Sequence, residues 1–143
     1  GGQCADICAE ELPSDQVTKE LLWYIHKNKT AALIEAALMI GAVLAGAPDE
    51  AVKKLEQAAE NIGIAFQIQD DILDVTSSLE VLGKPVGSDE KNHKVTYVRL
   101  NGLEQSKKDV EALSEEALKI LSSFDRRNDF LEDLVRALIT REK

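Results

Sequence analysis

The segment from Phe66 to Asp74 places three carboxylates, those of Asp70, Asp71 and Asp74, in an otherwise apolar stretch. On a helix, Gln67 and the three aspartates lie on one face, because positions three and four apart are neighbours. Apolar residues at helical spacing form a stripe on another face: Ala65, Ile68, Ile72, Val75 and Leu79. A buried, unpaired carboxylate is costly, and Mg²⁺, which prefers carboxylate and water oxygens and often bridges to phosphates, removes that cost. The segment therefore predicts a Mg²⁺ site. The alternative is a partly exposed helix with a solvated acidic edge.

The composition predicts one helical domain over residues 1–143. Hydrophobic residues make up 44% of the 143 residues, enough for one sizeable core, and the scarce aromatics (4%) and abundant Ala, Leu, Glu and Lys favour helices. The net charge of −9 argues against nucleic acid as a partner. The longest apolar run, 31–47, is interrupted by Glu35, so we expect no membrane span. With no signal peptide expected, we predict a cytoplasmic protein whose Cys4 and Cys8 are buried, reduced thiols.

The order of helices follows from apolar periodicity and from the turn residues. We predict the end of a helix over 1–11 and a second helix that starts at Pro13–Asp15 and reaches His26. A break near 28–30 then leads into a helix that runs to Ala45, and Asp49 caps a helix over about 49–77. A long loop covers 77–94, and helices follow at 95–100, 103–123 and 128–141. The predicted fold class is all-α.

Lysines near predicted loops and helix ends could bind an anionic substrate. Lys29 and Thr30 combine an ammonium, a hydroxyl and, at a predicted helix start, free backbone amides, which suit a phosphate. A solvated lysine beside a capping threonine is the commoner explanation. Lys84 lies in a glycine-rich loop over 83–89 that lacks the P-loop spacing and follows no strand, so an ordinary surface turn is the alternative. Lys94 adds another cation, whereas His26 is expected to be structural.

Several motifs in this order resemble those of the trans-isoprenyl diphosphate synthases, the family of the bacterial farnesyl and geranylgeranyl diphosphate synthases. They are Gly2-Gln3-x-x-Asp6, His26-x-x-Lys29-Thr30-Ala31, Phe66-Gln67-x-x-Asp70-Asp71-x-x-Asp74, Gly83-Lys84-x-x-Gly87-x-Asp89, Lys94-x-Thr96-Tyr97 and the terminal Arg141-Glu142-Lys143. The resemblance implies a helical bundle of the isoprenoid synthase type. It also implies Mg²⁺-dependent condensation of isopentenyl diphosphate with an allylic diphosphate, giving a short-chain farnesyl or geranylgeranyl diphosphate.

The resemblance also implies a role for each matching residue. Asp70 would bind Mg²⁺ directly, and Asp71 and Asp74 directly or through water. Lys29 and Lys84 would bind the allylic diphosphate, with Lys94 more peripheral. Thr30 and Gln67 would line the reaction centre.

The chain departs from the family in one respect: it contains a single DDxxD motif, at 70–74, whereas the family has another further upstream. The sequence therefore resembles the C-terminal half of such an enzyme. We expect it to be inactive alone, with the missing N-terminal half and a second copy, in a homodimer, as partners. The alternative is a non-catalytic helical subunit of a heteromeric synthase, against which the intact Lys29, Gln67, Asp70 and Lys84 count. A terpene cyclase is disfavoured, because such enzymes typically carry a different second metal motif.

Overall fold

A computed structural model describes residues 1–82, 95–125 and 128–140, without the side chains of 77–82 and 139. Every regular element within these ranges is helical, which confirms the all-α prediction. The elements are α1 (Gly2–Glu10), α2 (Lys19–His26), a π-helical turn (Lys27–Ala31), α3 (Ala32–Leu44), α4 (Asp49–Leu82), α5 (Tyr97–Asn101), α6 (Leu103–Ser122) and α7 (Asp129–Thr140).

The predicted start of α2 and the predicted cap of α4 are wrong. Helix α2 begins at Lys19 and not at Pro13–Asp15, because Thr18 is extended and its hydroxyl accepts the Leu21 N–H at 3.2 Å. A hydroxyl in this position satisfies an amide that has no partner within the helix. Asp49 is the first residue inside α4 and not its cap, since the carbonyl of Pro48 already accepts helical N–H groups.

The predicted break at 28–30 is a widened turn of a continuous helix. The π-helical turn joins α2 directly to α3, and the Ala32 N–H reaches back to the carbonyl of Lys27. One glycine packs against each side of this turn. A Cβ built on Gly2 would lie 2.3 Å from the Asn28 carbonyl carbon, and one built on Gly63 would lie 2.3 Å from the Ala31 Cα. The turn is therefore held between the backbones of α1 and α4.

Helix α4 is the centre of the core. It packs along α3 and α6 and buries Ile62, Ile64, Ala65, Ile68 and Ile72, which confirms most of the predicted apolar stripe. It also extends beyond the predicted end at 77, to Leu82.

The prediction that Cys4 and Cys8 are buried is wrong, because both thiols are exposed. Gly2 and Asp6, one helical turn apart, occupy the inward face of α1 instead. The close approach at Gly2 fixes the rotation of the helix, and the two cysteines then fall on the outward face.

Large apolar side chains are exposed along α3 and at the start of α7. The most exposed are Leu33, Ile40, Val43, Leu44 and Phe130. Several large exposed apolar side chains on one helix are typical of a face that another chain or segment covers.

The glycine contact provides a matched test of the packing. We expect Gly63→Ala to lower the free energy of unfolding by about 1–3 kcal/mol, because the added methyl group meets backbone that no side-chain rotation can move. Gly41→Ala, also inside a helix but with nothing within 4 Å of the new methyl group, should raise it by about 0.5–1 kcal/mol. Thermal unfolding of both variants checks this. Equal gains in stability would show that α4 and the π turn do not approach closely at Gly63.

Candidate functional site

A narrow cavity of about 50 Å³ lies where α1, α2, the π turn, α4 and the segment before α5 meet. Its polar lining brings together side chains from distant parts of the sequence: Asp6, His26, Lys29, Gln67, Asp71 and Thr96. Three predicted site residues from two separate motifs, Lys29, Gln67 and Asp71, therefore share one cavity. Thr30 is half-buried in the π turn and is not part of this lining.

Lys29 is held by an ion pair that was not predicted from the sequence. Its ammonium lies 2.5 Å from Oδ2 of Asp6, whose side chain is only 8% exposed, whereas that of Lys29 is 32% exposed. The predicted helix start at Lys29 and Thr30 is wrong, since the backbone is helical on both sides. Free amides at a helix end therefore contribute nothing here. Among the described residues that line the cavity, Lys29 is the only lysine or arginine.

The three aspartates of α4 point to different surroundings. Asp70 is half-buried, with Nε2 of Gln67 at 3.5 Å from its Oδ2, and Asp74 is exposed. Oδ2 of Asp71 accepts the backbone N–H of Tyr97 at 2.8 Å, which ties α4 to the start of α5. Over 1–82, 95–125 and 128–140, no three Asp, Glu, His or Cys side chains converge on one ion position.

The donor set nevertheless suits Mg²⁺. This ion keeps several water ligands and commonly binds through one or two carboxylates together with substrate phosphates. Asp70 and Asp74, one turn apart on α4, provide such a pair of hard oxygen donors. A convergence of three carboxylates on one ion is not required.

The start of α5 is fixed by a second carboxylate that was not singled out from the sequence. The hydroxyl of Tyr97 donates to Oδ2 of Asp109 on α6 at 2.9 Å, and Nε2 of Gln105 donates to the other oxygen at 2.8 Å. Burial, followed by this hydrogen bond, raises the pKa of Tyr97 to about 12. No sequence motif includes Asp109, so only the structure reveals its contact with Tyr97.

The remaining predicted site residues lie outside the described part of the chain. These are Lys84 and Lys94, together with the glycine-rich loop at 83–89 and the terminal residues 141–143.

The sequence profile of the polyprenyl synthetase family matches residues 1–136, and the chain belongs to this family. It is 48% identical over 124 residues to geranylgeranyl pyrophosphate synthase 11, chloroplastic, of Arabidopsis thaliana. It is 44% identical over 141 residues to a dimethylallyltranstransferase of Fischerella ambigua. A geranyltransferase from Helicobacter pylori, solved with magnesium and isoprenyl diphosphate, is 34% identical, with a TM-score of 0.69 over 96% of this chain.

Each match covers most of this chain but less than half of the relative. The Arabidopsis alignment includes 87% of this chain but 35% of the relative, and the Fischerella alignment 99% and 40%. The Helicobacter structure is matched over 44% of its chain. The fold is that of the isoprenoid synthases, as predicted. The chain spans less than half the length of these relatives.

The pKa of Tyr97 gives a pH-dependent prediction. Because its folded pKa lies above the ordinary value of about 10, the neutral phenol is favoured in the folded state. The resulting stability is complete below about pH 10 and is lost as the pH rises toward 12. We expect the free energy of unfolding to fall more steeply above about pH 10 than in Tyr97→Phe, by up to about 1.4 kcal/mol per pH unit.

Urea unfolding across this pH range measures the difference, with Tyr24→Phe as a control at an exposed tyrosine. Parallel curves for the wild-type chain and Tyr97→Phe would contradict the buried hydrogen bond to Asp109.

Proposed function

We propose that this chain forms part of the active site of a prenyltransferase. The enzyme condenses isopentenyl diphosphate with an allylic diphosphate to give a short-chain prenyl diphosphate of the farnesyl or geranylgeranyl type. The observation that carries the proposal is the cavity at which Lys29 of the π turn meets Gln67 and Asp71 of α4. The names of the Arabidopsis and Fischerella relatives support the same reaction class.

Mg²⁺ is the proposed cofactor, and Asp70, Asp71 and Asp74 are its proposed ligands. The hard oxygen donors of α4 support this choice, as does the Helicobacter geranyltransferase, which was solved with magnesium and isoprenyl diphosphate. Bound Mg²⁺ would supply positive charge to a diphosphate leaving group. Asp71 already accepts the Tyr97 amide through Oδ2, so we assign the direct contact to Asp70.

The side chains of this chain bind and orient the substrates. We propose that Lys29, Lys84 and Lys94 hold diphosphate oxygens, and that Thr30 and Gln67 line the reaction centre. The allylic C–O bond breaks and the diphosphate takes its electron pair. The alkene of isopentenyl diphosphate then attacks the allylic cation, and the new cation loses a proton to the released diphosphate. No covalent nucleophile is needed, because fixed charges stabilise the leaving diphosphate.

Partners are part of the proposal. Because the chain spans 35% and 40% of two relatives, we propose that an N-terminal half with the other aspartate-rich motif completes the cavity. The exposed apolar side chains of α3 and α7 suit contact with that half or with a second copy in a homodimer. Alone, the chain is expected to be inactive.

A cytoplasmic location is also a proposal. None of the helices in the described part of the chain combines the length and apolar character that a membrane crossing requires. The Arabidopsis relative reported above is named chloroplastic. Fractionation of cells that express the complete protein distinguishes these locations.

The role of Asp70 is tested in the complete synthase. We expect Asp70→Ala to lower kcat by roughly a hundredfold or more with a smaller effect on KM. The variant would lose the positive charge of the metal that Asp70 holds, and that charge acts mainly on the leaving diphosphate. Glu50→Ala, which removes an exposed carboxylate from the same helix, is the matched control and should leave kcat unchanged. Steady-state prenyl transfer measures both. Near-normal turnover by Asp70→Ala would overturn the assignment.

A further inference from the structure

The buried carboxylate of Asp6 has a geometric consequence for the cavity: it determines where the Lys29 ammonium lies. Asp6 is almost fully enclosed and its Oδ2 is 2.5 Å from Nζ of Lys29. Burying a carboxylate in this way is tolerated only when a cation accompanies it. A lysine side chain can otherwise adopt many rotamers. That of Lys29 is therefore held at its ammonium as well as at its backbone.

A second ion pair on the same turn has a different character. Lys27, two residues earlier, contacts Glu60 of α4 at 2.7 Å, with side chains that are 46% and 28% exposed. Solvent-exposed pairs of this kind contribute little, because water screens them and the side chains lose freedom. Of the two pairs, only the one with Asp6 includes a buried carboxylate and adjoins the cavity.

The position of Asp6 is set by backbone contact. Gly2 lies one helical turn before Asp6, and its Cα packs so closely on Asn28 and Lys29 that no Cβ fits between them. The contact places α1 directly against the π turn. The contact fixes the position of α1 and its rotation about the helix axis, so Asp6 faces Lys29 without any substrate present.

We propose that Asp6 is a positioning residue for substrate binding: it holds the Lys29 ammonium in the orientation that receives the allylic diphosphate. An ammonium has three N–H donors, so the bond to Asp6 leaves two for phosphate oxygens. The substrate then need not order the lysine side chain, which would otherwise weaken binding. This inference rests on the proposed function of Lys29.

A double-mutant cycle in the complete synthase tests the inference. The variants are Asp6→Asn, Lys29→Met and the combination, with Glu60→Gln as the control that disrupts the pair of Lys27. The KM values for dimethylallyl diphosphate and for isopentenyl diphosphate are measured with Mg²⁺ present, together with the melting temperature of each variant.

We expect Asp6→Asn to raise the KM for dimethylallyl diphosphate by about tenfold, the upper range for ordering one long side chain. Its KM for isopentenyl diphosphate should stay within about twofold, because the proposal places the Lys29 ammonium on the allylic diphosphate and not on isopentenyl diphosphate. The double variant should match Lys29→Met, because Asp6 then has no ammonium to position. Glu60→Gln should leave both KM values unchanged.

The outcomes separate the two claims. If Lys29→Met leaves the allylic KM unchanged, the proposed role of Lys29 fails. If Lys29→Met raises it but Asp6→Asn does not, or if the two effects add, the positioning role of Asp6 fails. Should Lys29→Met, which leaves the buried Asp6 carboxylate without its cation, be too unstable for turnover, calorimetric titration with inorganic diphosphate and Mg²⁺ in the cold gives the same comparison as dissociation constants.

Discussion

Backbone contact on both sides of the π turn is the constraint on which the rest of the structure depends. At Gly63 the backbone of α4 reaches the Ala31 Cα, and at Gly2 the backbone of α1 reaches Asn28. Side-chain packing can adjust when a neighbour shifts, but contact between two backbones has no such freedom. The turn therefore has one position relative to both helices. Lys29 extends from it toward the cavity, and its ammonium meets Asp6 of α1.

Helix α4 connects this turn to the rest of the fold. Its apolar side is enclosed by α3 and α6. On the other side, Gln67 and Asp71 line the cavity, and Asp70 lies beside them on the helix. Asp71 binds the Tyr97 amide at the start of α5, and Tyr97 in turn donates to Asp109 of α6. Through these bonds the acidic side of α4 is fixed by α5 and α6, and α6 also buries its apolar side. A site built on rigid helices holds charges in place without substrate, which is what electrostatic catalysis requires.

The sequence predicts those features that depend on local pattern. The apolar spacing of Ala65, Ile68 and Ile72 correctly gives the buried side of α4, and the family motifs give the fold. Features that depend on distant contacts are missed. The π turn is predicted as a break, because the backbone that packs closely against Ala31 belongs to Gly63, far along the chain. Burial of Cys4 is wrong because the contact at Gly2 turns the other side of α1 inward. The ion pair of Lys29 with Asp6 is likewise not predicted, although Asp6 belongs to the motif Gly2-Gln3-x-x-Asp6.

The central claim is that the π turn and the acidic side of α4 form one site for a metal-bound diphosphate. A crystal structure of the complete synthase with Mn²⁺ and inorganic diphosphate measures this directly, because anomalous scattering locates the ion. The claim predicts an ion about 2.0–2.2 Å from a carboxylate oxygen of Asp70 and a diphosphate oxygen about 3 Å from Nζ of Lys29. Ions and diphosphate bound elsewhere, with Asp70 and Lys29 in contact with neither, would contradict it.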